Sequence, residues 1–261
     1  MTTVAGEGGF GLGDRIGTMT QVRGAIARMR AGGWPLAAVG LGLGSAYLTV
    51  ALAFSALGVD TEGGALTPGY LVYSLVVAVA GGVGACLAYR LMLFGRAGWL
   101  RIDRGFLECV GILAVLSMAF TAITLSYTSF SGRQTGQGAA LILLIGLILG
   151  FGAAVFLSLR LTLWPMGRLF GRAEMTPARS MQLMRKATRG LFLGLSLFGI
   201  PFAVVLFVAT PAMTAGGIGL NPATVAMQYA TAAYMIAGYA LSATLYDLRV
   251  GRPSTLADVF A

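Results

Sequence analysis

Few side chains in this chain could do chemistry at neutral pH. There are two cysteines, Cys86 and Cys109, and no histidine. A thiol nucleophile needs a neighbouring base or cation to hold it as thiolate, and the commonest such base is missing. Two thiols without histidine also make no four-ligand metal site and no disulfide framework. Both cysteines fall within long apolar runs, where cysteine behaves as a small hydrophobe. The acids are Glu7, Asp14, Asp60, Glu62, Asp103, Glu108, Glu174, Asp247 and Asp258. Only Glu108 stands inside an apolar run, near its start, so no carboxylate sits at the depth where ion-coupled carriers hold protons or sodium. No P-loop, HExxH, CxxC or GxSxG string occurs, and the glycine-rich stretch 8–13 has no preceding strand to make it a nucleotide loop. These residues point away from an enzyme and imply no cofactor.

Arg90, Glu108, Arg160 and Asp247 all stand at one depth, at ends of apolar runs. Opposite charges at a low-dielectric boundary pair, because a lone ion there is costly. A structural ring of ion pairs is therefore expected, with Arg90 and Arg160 held by Glu108 and Asp247. A gate is the alternative for the same residues.

The elements that must position them follow from composition. Of 261 residues, 57% are apolar and 10% charged, with a mean hydropathy of +0.83. A soluble domain carries about a quarter charged residues. A span needs about 20 apolar residues, and six runs qualify: 34–57, 70–94, 106–127, 139–164, 191–212 and 223–245. The ten-residue alternation of a membrane barrel is absent. The expected fold is all-α: a polytopic integral membrane protein with six transmembrane helices and cytoplasmic amphipathic helices. Its parts are an N-terminal segment 1–33, the transmembrane domain 34–245, and a tail 246–261.

The net charge of +9 is distributed unevenly. The connectors 58–69, 128–138 and 213–222 hold one base between them, Arg133, while all other bases fall on the opposite side. That asymmetry places both termini in the cytoplasm and makes the excess a topology signal rather than a nucleic-acid footprint. Trp34, Trp99 and Trp164 fall at the cytoplasmic ends, as an interfacial belt requires. Lys186 is the single lysine among 18 bases, a bias that fits a GC-rich bacterial genome and hence a bacterial inner membrane. The first apolar run is too long for a signal peptide.

Two segments are expected to lie on the cytoplasmic membrane face. In 14–30, Ile16, Met19, Val22, Ile26 and Met29 recur at helical spacing. In the loop 165–190, Thr176-Pro177 makes a cap and first turn. Arg179, Arg185, Lys186 and Arg189 then share one arc of a helix over 176–190, opposite Met181, Leu183, Met184 and Ala187. Such a basic face suits anionic lipid headgroups; an ordinary positive-inside loop is the plainer alternative.

Gly40-xxx-Gly44, the Gly81/Gly82/Gly84 cluster and Gly146-xxx-Gly150 are spaced for close helix packing, within the bundle or between copies. Pro201 is expected to kink the fifth run. The three helical hairpins show weak self-similarity, for which common membrane grammar suffices.

Arg160-Leu161-x-Leu163-x-Pro165 leaves one run, Thr188-Arg189-Gly190 opens the next, and the chain closes with Leu245-Tyr246-Asp247-Leu248-Arg249 and 256–261. Over residues 155–261 this resembles the membrane domains of the glycerophosphodiester phosphodiesterase membrane-domain family. The resemblance implies a polytopic domain and lipid association. It does not imply phosphodiesterase activity, which belongs to a separate domain with carboxylates and histidine. The expected function is a non-enzymatic lipid-associated scaffold or accessory subunit, with anionic lipids, other membrane proteins or a second copy as partners. The alternative is a permease for an uncharged or amphiphilic molecule.

Overall fold

The computed structural model describes residues 16–59, 67–95, 99–131, 137–216 and 221–251. Asp60, Glu62, Arg133, the segment before Ile16 and the tail beyond Gly251 lie outside them. The described residues form eight helices and no strand: α1 Thr18–Ala56, α2 Pro68–Phe94, α3 Arg104–Ser131, α4 Gln137–Leu161, α5 Leu163–Leu169, α6 Pro177–Met184, α7 Thr188–Gly216 and α8 Pro222–Val250. Helices are the form in which an apolar chain satisfies its own backbone in lipid.

Three helix starts are built alike. Thr67, Thr176 and Asn221 each accept a hydrogen bond from the backbone N–H three residues on, and each precedes a proline at the first helical position. The cap satisfies one orphan donor, and proline lacks the N–H that would be another.

Five segments are long and apolar enough to cross a membrane: α1, α2, Arg104–Ile123, Ile148–Leu169 and Thr188–Ala209. The chain is thus an all-helical protein of multi-pass membrane character. The sixth expected run is also a long helix, α8, but it is less apolar than those five. Burial explains the difference. Residues Tyr239–Tyr246 of α8 are buried without interruption, so every face of the helix there is covered by protein. A helix enclosed by α1, α2 and α7 can carry Ser242 and Thr244, whose hydroxyls donate back to the carbonyls of Gly238 and Ala240. The lipid-type surface lies elsewhere, on Val115 of α3, Ile148 and Leu149 of α4, and Ile200, Val204 and Phe207 of α7, all exposed.

Several expectations are corrected. The helix expected over 14–30 begins at Thr18 and is parted from the first span by a non-helical break at Gly33 (φ 51°, ψ −141°), but its apolar stripe does not lie on the membrane face. This first half of α1 packs into the bundle, with Gln21, Val22, Ala25 and Arg28 buried. Gly24 sits against Thr244 of α8. The run 139–164 covers α4 and the start of α5, joined through Thr162, whose backbone keeps helical angles (φ −52°, ψ −36°); Trp164 lies on α5. Pro201 lies within α7.

The glycine motifs separate into two kinds. A Cβ at Gly40 would touch Ile236, one at Gly44 would come within 2.6 Å of the Tyr229 ring, and one at Gly81 within 2.8 Å of the Tyr47 hydroxyl. These glycines let α1 approach α8 and α2 approach α1. Gly146 and Gly150 pack against nothing: a Cβ at either meets no atom within 4 Å. Gly44→Val should therefore lower the thermal midpoint in detergent, with a loss of about 1–3 kcal/mol from overpacking. Gly150→Val should leave it within error; equal effects of the two would contradict this assignment of faces.

Candidate functional site

The antiparallel run of long helices brings the N-terminal half of α1, the C-terminal turns of α2, α4 and α8, the start of α3 and α7, and both short helices to one end of the bundle. Every base among the described residues lies there. The four expected ring residues are also at this end, but their partners differ from expectation.

Asp247 pairs with Arg28 rather than Arg160. Arg28 falls on the buried stripe of α1 and also donates from Nη1 to the carbonyl of Met92 at 3.2 Å, so one guanidinium joins α1, α8 and the end of α2. Arg90 pairs with Asp103 rather than Glu108, Nη2 to Oδ2 at 2.6 Å. The same Arg90 donates to the carbonyl of Arg101 and lies over the Phe106 ring, 5.4 Å from its centroid. Asp103 meanwhile accepts from the backbone N–H of Phe106 at 2.8 Å, capping α3. Glu108 pairs with Arg104 one turn back on its own helix, at 2.8 Å, where the arginine side chain is 93% exposed. Arg160 sits over its neighbour Phe156, 4.6 Å from the ring centroid.

Two of the missed residues had signals. Arg28 stands on the three-and-four spacing of Val22, Ala25 and Gly32, which marks it as inward-facing. Asp103 immediately precedes an apolar run, which is a cap position. Arg172 had none: it reaches from the loop after α5 to the carbonyls of Val250 and Gly251, closing the end of α8 beside Tyr246.

The basic loop is also rearranged. The expected helix over 176–190 is shorter, α6 Pro177–Met184, followed by a turn at 185–187 and then α7. Arg179, Arg185, Lys186 and Arg189 are all exposed, as the angular sorting required. The opposite face does not meet a membrane surface. Leu183, Met184 and Ala187 are buried in the core that includes Leu159, Leu163 and Met166, and Ser180 donates to the carbonyl of Arg160 at 2.8 Å. The helix is fastened to its own bundle and turns its bases outward.

Beside α3 and α5 are two adjoining cavities. One, of about 430 Å³, is lined by Asp103, Arg104, Gly105, Glu108, Arg168 and Leu169 with the turn after α5. The other, of about 530 Å³, is lined by Gly111, Ile112, Val115, Leu116 and Trp164, and shares Glu108 and Arg168 with the first. The two form one open, mainly apolar groove, with the charged side chains of Asp103, Arg104, Glu108 and Arg168 gathered at one end. Close backbone contact holds that end in place, since a Cβ at Gly105 would lie 2.7 Å from the carbonyl oxygen of Arg168.

Cys86 and Cys109 are both buried, with the Cys86 thiol facing the carbonyl of Phe106. No family model, curated protein or solved structure matches the chain.

Asp247→Asn leaves a guanidinium that is 10% exposed without its carboxylate, and removing one partner of a buried pair costs about 3–5 kcal/mol. Glu108→Gln breaks a pair open to solvent and should cost under about 1 kcal/mol. Thermal unfolding of the two variants in the same detergent checks the order; a larger loss from Glu108→Gln would reverse the ranking of these pairs.

Proposed function

We propose that this chain is a non-enzymatic, lipid-associated protein of the bacterial inner membrane, a scaffold or accessory subunit that crosses the bilayer six times with both termini in the cytoplasm. The observation that carries the reading is the gathering of every described base at one end of an otherwise apolar bundle. Charge so placed follows the positive-inside rule, and α8, enclosed by its neighbours, serves as the sixth span. The resemblance of residues 155–261 to the glycerophosphodiester phosphodiesterase membrane domains is consistent with this reading and implies no phosphodiester chemistry. The enclosed packing of α8 favours a scaffold over a permease, since the cavities described above lie beside α3 and α5 and not along the α1–α8 seam.

Arg179, Arg185, Lys186 and Arg189 present the basic face to the anionic leaflet. Four such bases contribute on the order of 4 kcal/mol together, weakened by salt over about 8–10 Å. Replacing all four with Gln should reduce the anionic lipid retained through mild extraction while insertion stays intact. Unchanged retention would remove the lipid role of this face.

Topology is checked by labelling with an impermeant thiol reagent. Both native cysteines are buried, so the signal comes from introduced ones. Cysteine in place of Thr61 should label from outside the cell, and in place of Ser254 only after permeabilisation; labelling of both from one side would overturn the six-span arrangement.

A further inference from the structure

The charges gathered in the groove beside α3 and α5 do not balance. Asp103 is taken by Arg90 and Glu108 by Arg104. Arg168 remains: it is half-buried, it lines both cavities, and its guanidinium has no hydrogen-bond or ion-pair partner among the described residues. Trp164 lines the same groove, and its indole Nε1 is buried without a hydrogen-bond partner. A half-buried arginine left without a carboxylate keeps its planar fork of donors open to acceptors that come from elsewhere. The groove wall adds a further feature. Gly111 has no side chain and a Cβ there would meet nothing within 4 Å, so α3 carries a notch beside Ile112, Val115 and Leu116.

One positive charge left unpaired among the described residues and an apolar notch lie side by side along α3 and α5. We propose that this site holds one monoanionic glycerophospholipid. The phosphodiester meets Arg168, and an acyl chain lies along Gly111, Val115 and Leu116 beside the Trp164 ring. Arginine suits this role because its planar fork binds phosphate oxygens in pairs. The proposal rests on the chain being a lipid-associated membrane protein, but on residues separate from the outward basic face of α6.

The test uses the full chain, with Trp34 and Trp99 changed to Phe so that Trp164 is the remaining fluorophore. The protein is reconstituted in phosphatidylcholine vesicles to which acyl-brominated phosphatidylglycerol or acyl-brominated phosphatidylcholine is added, and quenching of Trp164 is followed. The anionic lipid should quench at about five-fold lower mole fraction, the factor one base contributes near a headgroup. Arg168→Gln should abolish that preference, while Arg168→Lys, which keeps the charge, should retain part of it and so separate loss of binding from loss of fold. Gly111→Leu, placed in open space, should reduce quenching by both lipids. Millimolar inorganic phosphate should change nothing. Equal quenching by the two lipids, a preference that survives Arg168→Gln, or relief by inorganic phosphate would each overturn the proposal. The variant with Gln at 179, 185, 186 and 189 should keep the preference. If that variant loses it while Arg168→Gln keeps it, the groove site fails and the lipid role of the α6 face stands.

Discussion

The bundle depends on pairing two of the three arginines buried among the described residues with carboxylates at one end of an apolar protein. Arg28 and Arg90 are both largely removed from solvent, and the desolvation of each amounts to several kcal/mol that only a well-placed carboxylate offsets. That constraint fixes more than two contacts. Asp247 can reach Arg28 only if α8 ends beside the first half of α1, and Asp103 can reach Arg90 only if the α2–α3 connection folds back over the end of α2. Arg28 also takes the carbonyl of Met92, near the last turn of α2, where orphan acceptors need donors. Ion pairing therefore sets the relative depth of α1, α2, α3 and α8.

Given that depth, apolar packing completes the arrangement with small residues rather than large ones. Gly24, Gly44 and Gly81 admit the side chains of Thr244, Tyr229 and Tyr47. Lipid tails are as apolar as any helix face, so burial of apolar surface does little to drive helices together; close contact and interhelical hydrogen bonds do more. The Tyr239 hydroxyl, donating to the carbonyl of Gly81 at 3.1 Å, is such a bond between α8 and α2. Phe94 packs edge to face on Phe170 and Phe170 packs tilted on Tyr246, with centroids 5.0 and 5.2 Å apart, sealing the end of α8 against the turn after α5.

Helix identity and rough limits were legible in the sequence because span length and cap chemistry are local. Thr67-Pro68, Thr176-Pro177 and Asn221-Pro222 announce their helices without reference to anything distant. Pairing was not legible. Arg90, Glu108, Arg160 and Asp247 share a depth, but depth leaves the azimuth of each helix open, and azimuth decides whether Arg90 meets Glu108 or Asp103. The stripe on 14–30 was visible as a stripe; what it covers, lipid or α8, is a tertiary fact. The same limit applied to Gly146 and Gly150, whose spacing matches Gly40 and Gly44 while their surroundings are open. Arg168 gave no signal of its own, because its distinction is the lack of a partner once Asp103 and Glu108 are assigned.

The groove beside α3 sits where these two regimes meet. Its charged rim belongs to the rigid end of the bundle: Asp103 is held by Arg90, and Gly105 lies against the backbone of α5 so closely that no side chain fits between them. The rest of it belongs to the outer wall, where Val115 is 67% exposed and Gly111 leaves open space. The proposed amphiphile would meet a rim whose backbone is already set by the Gly105 contact and an apolar wall on which an acyl chain needs no particular geometry. The same division separates Arg168 from the bases of α6. Those stand on an exposed face and act through field strength, which salt screens. Arg168 stands half-buried at the head of a groove, where screening is weaker and the shape of the occupant counts.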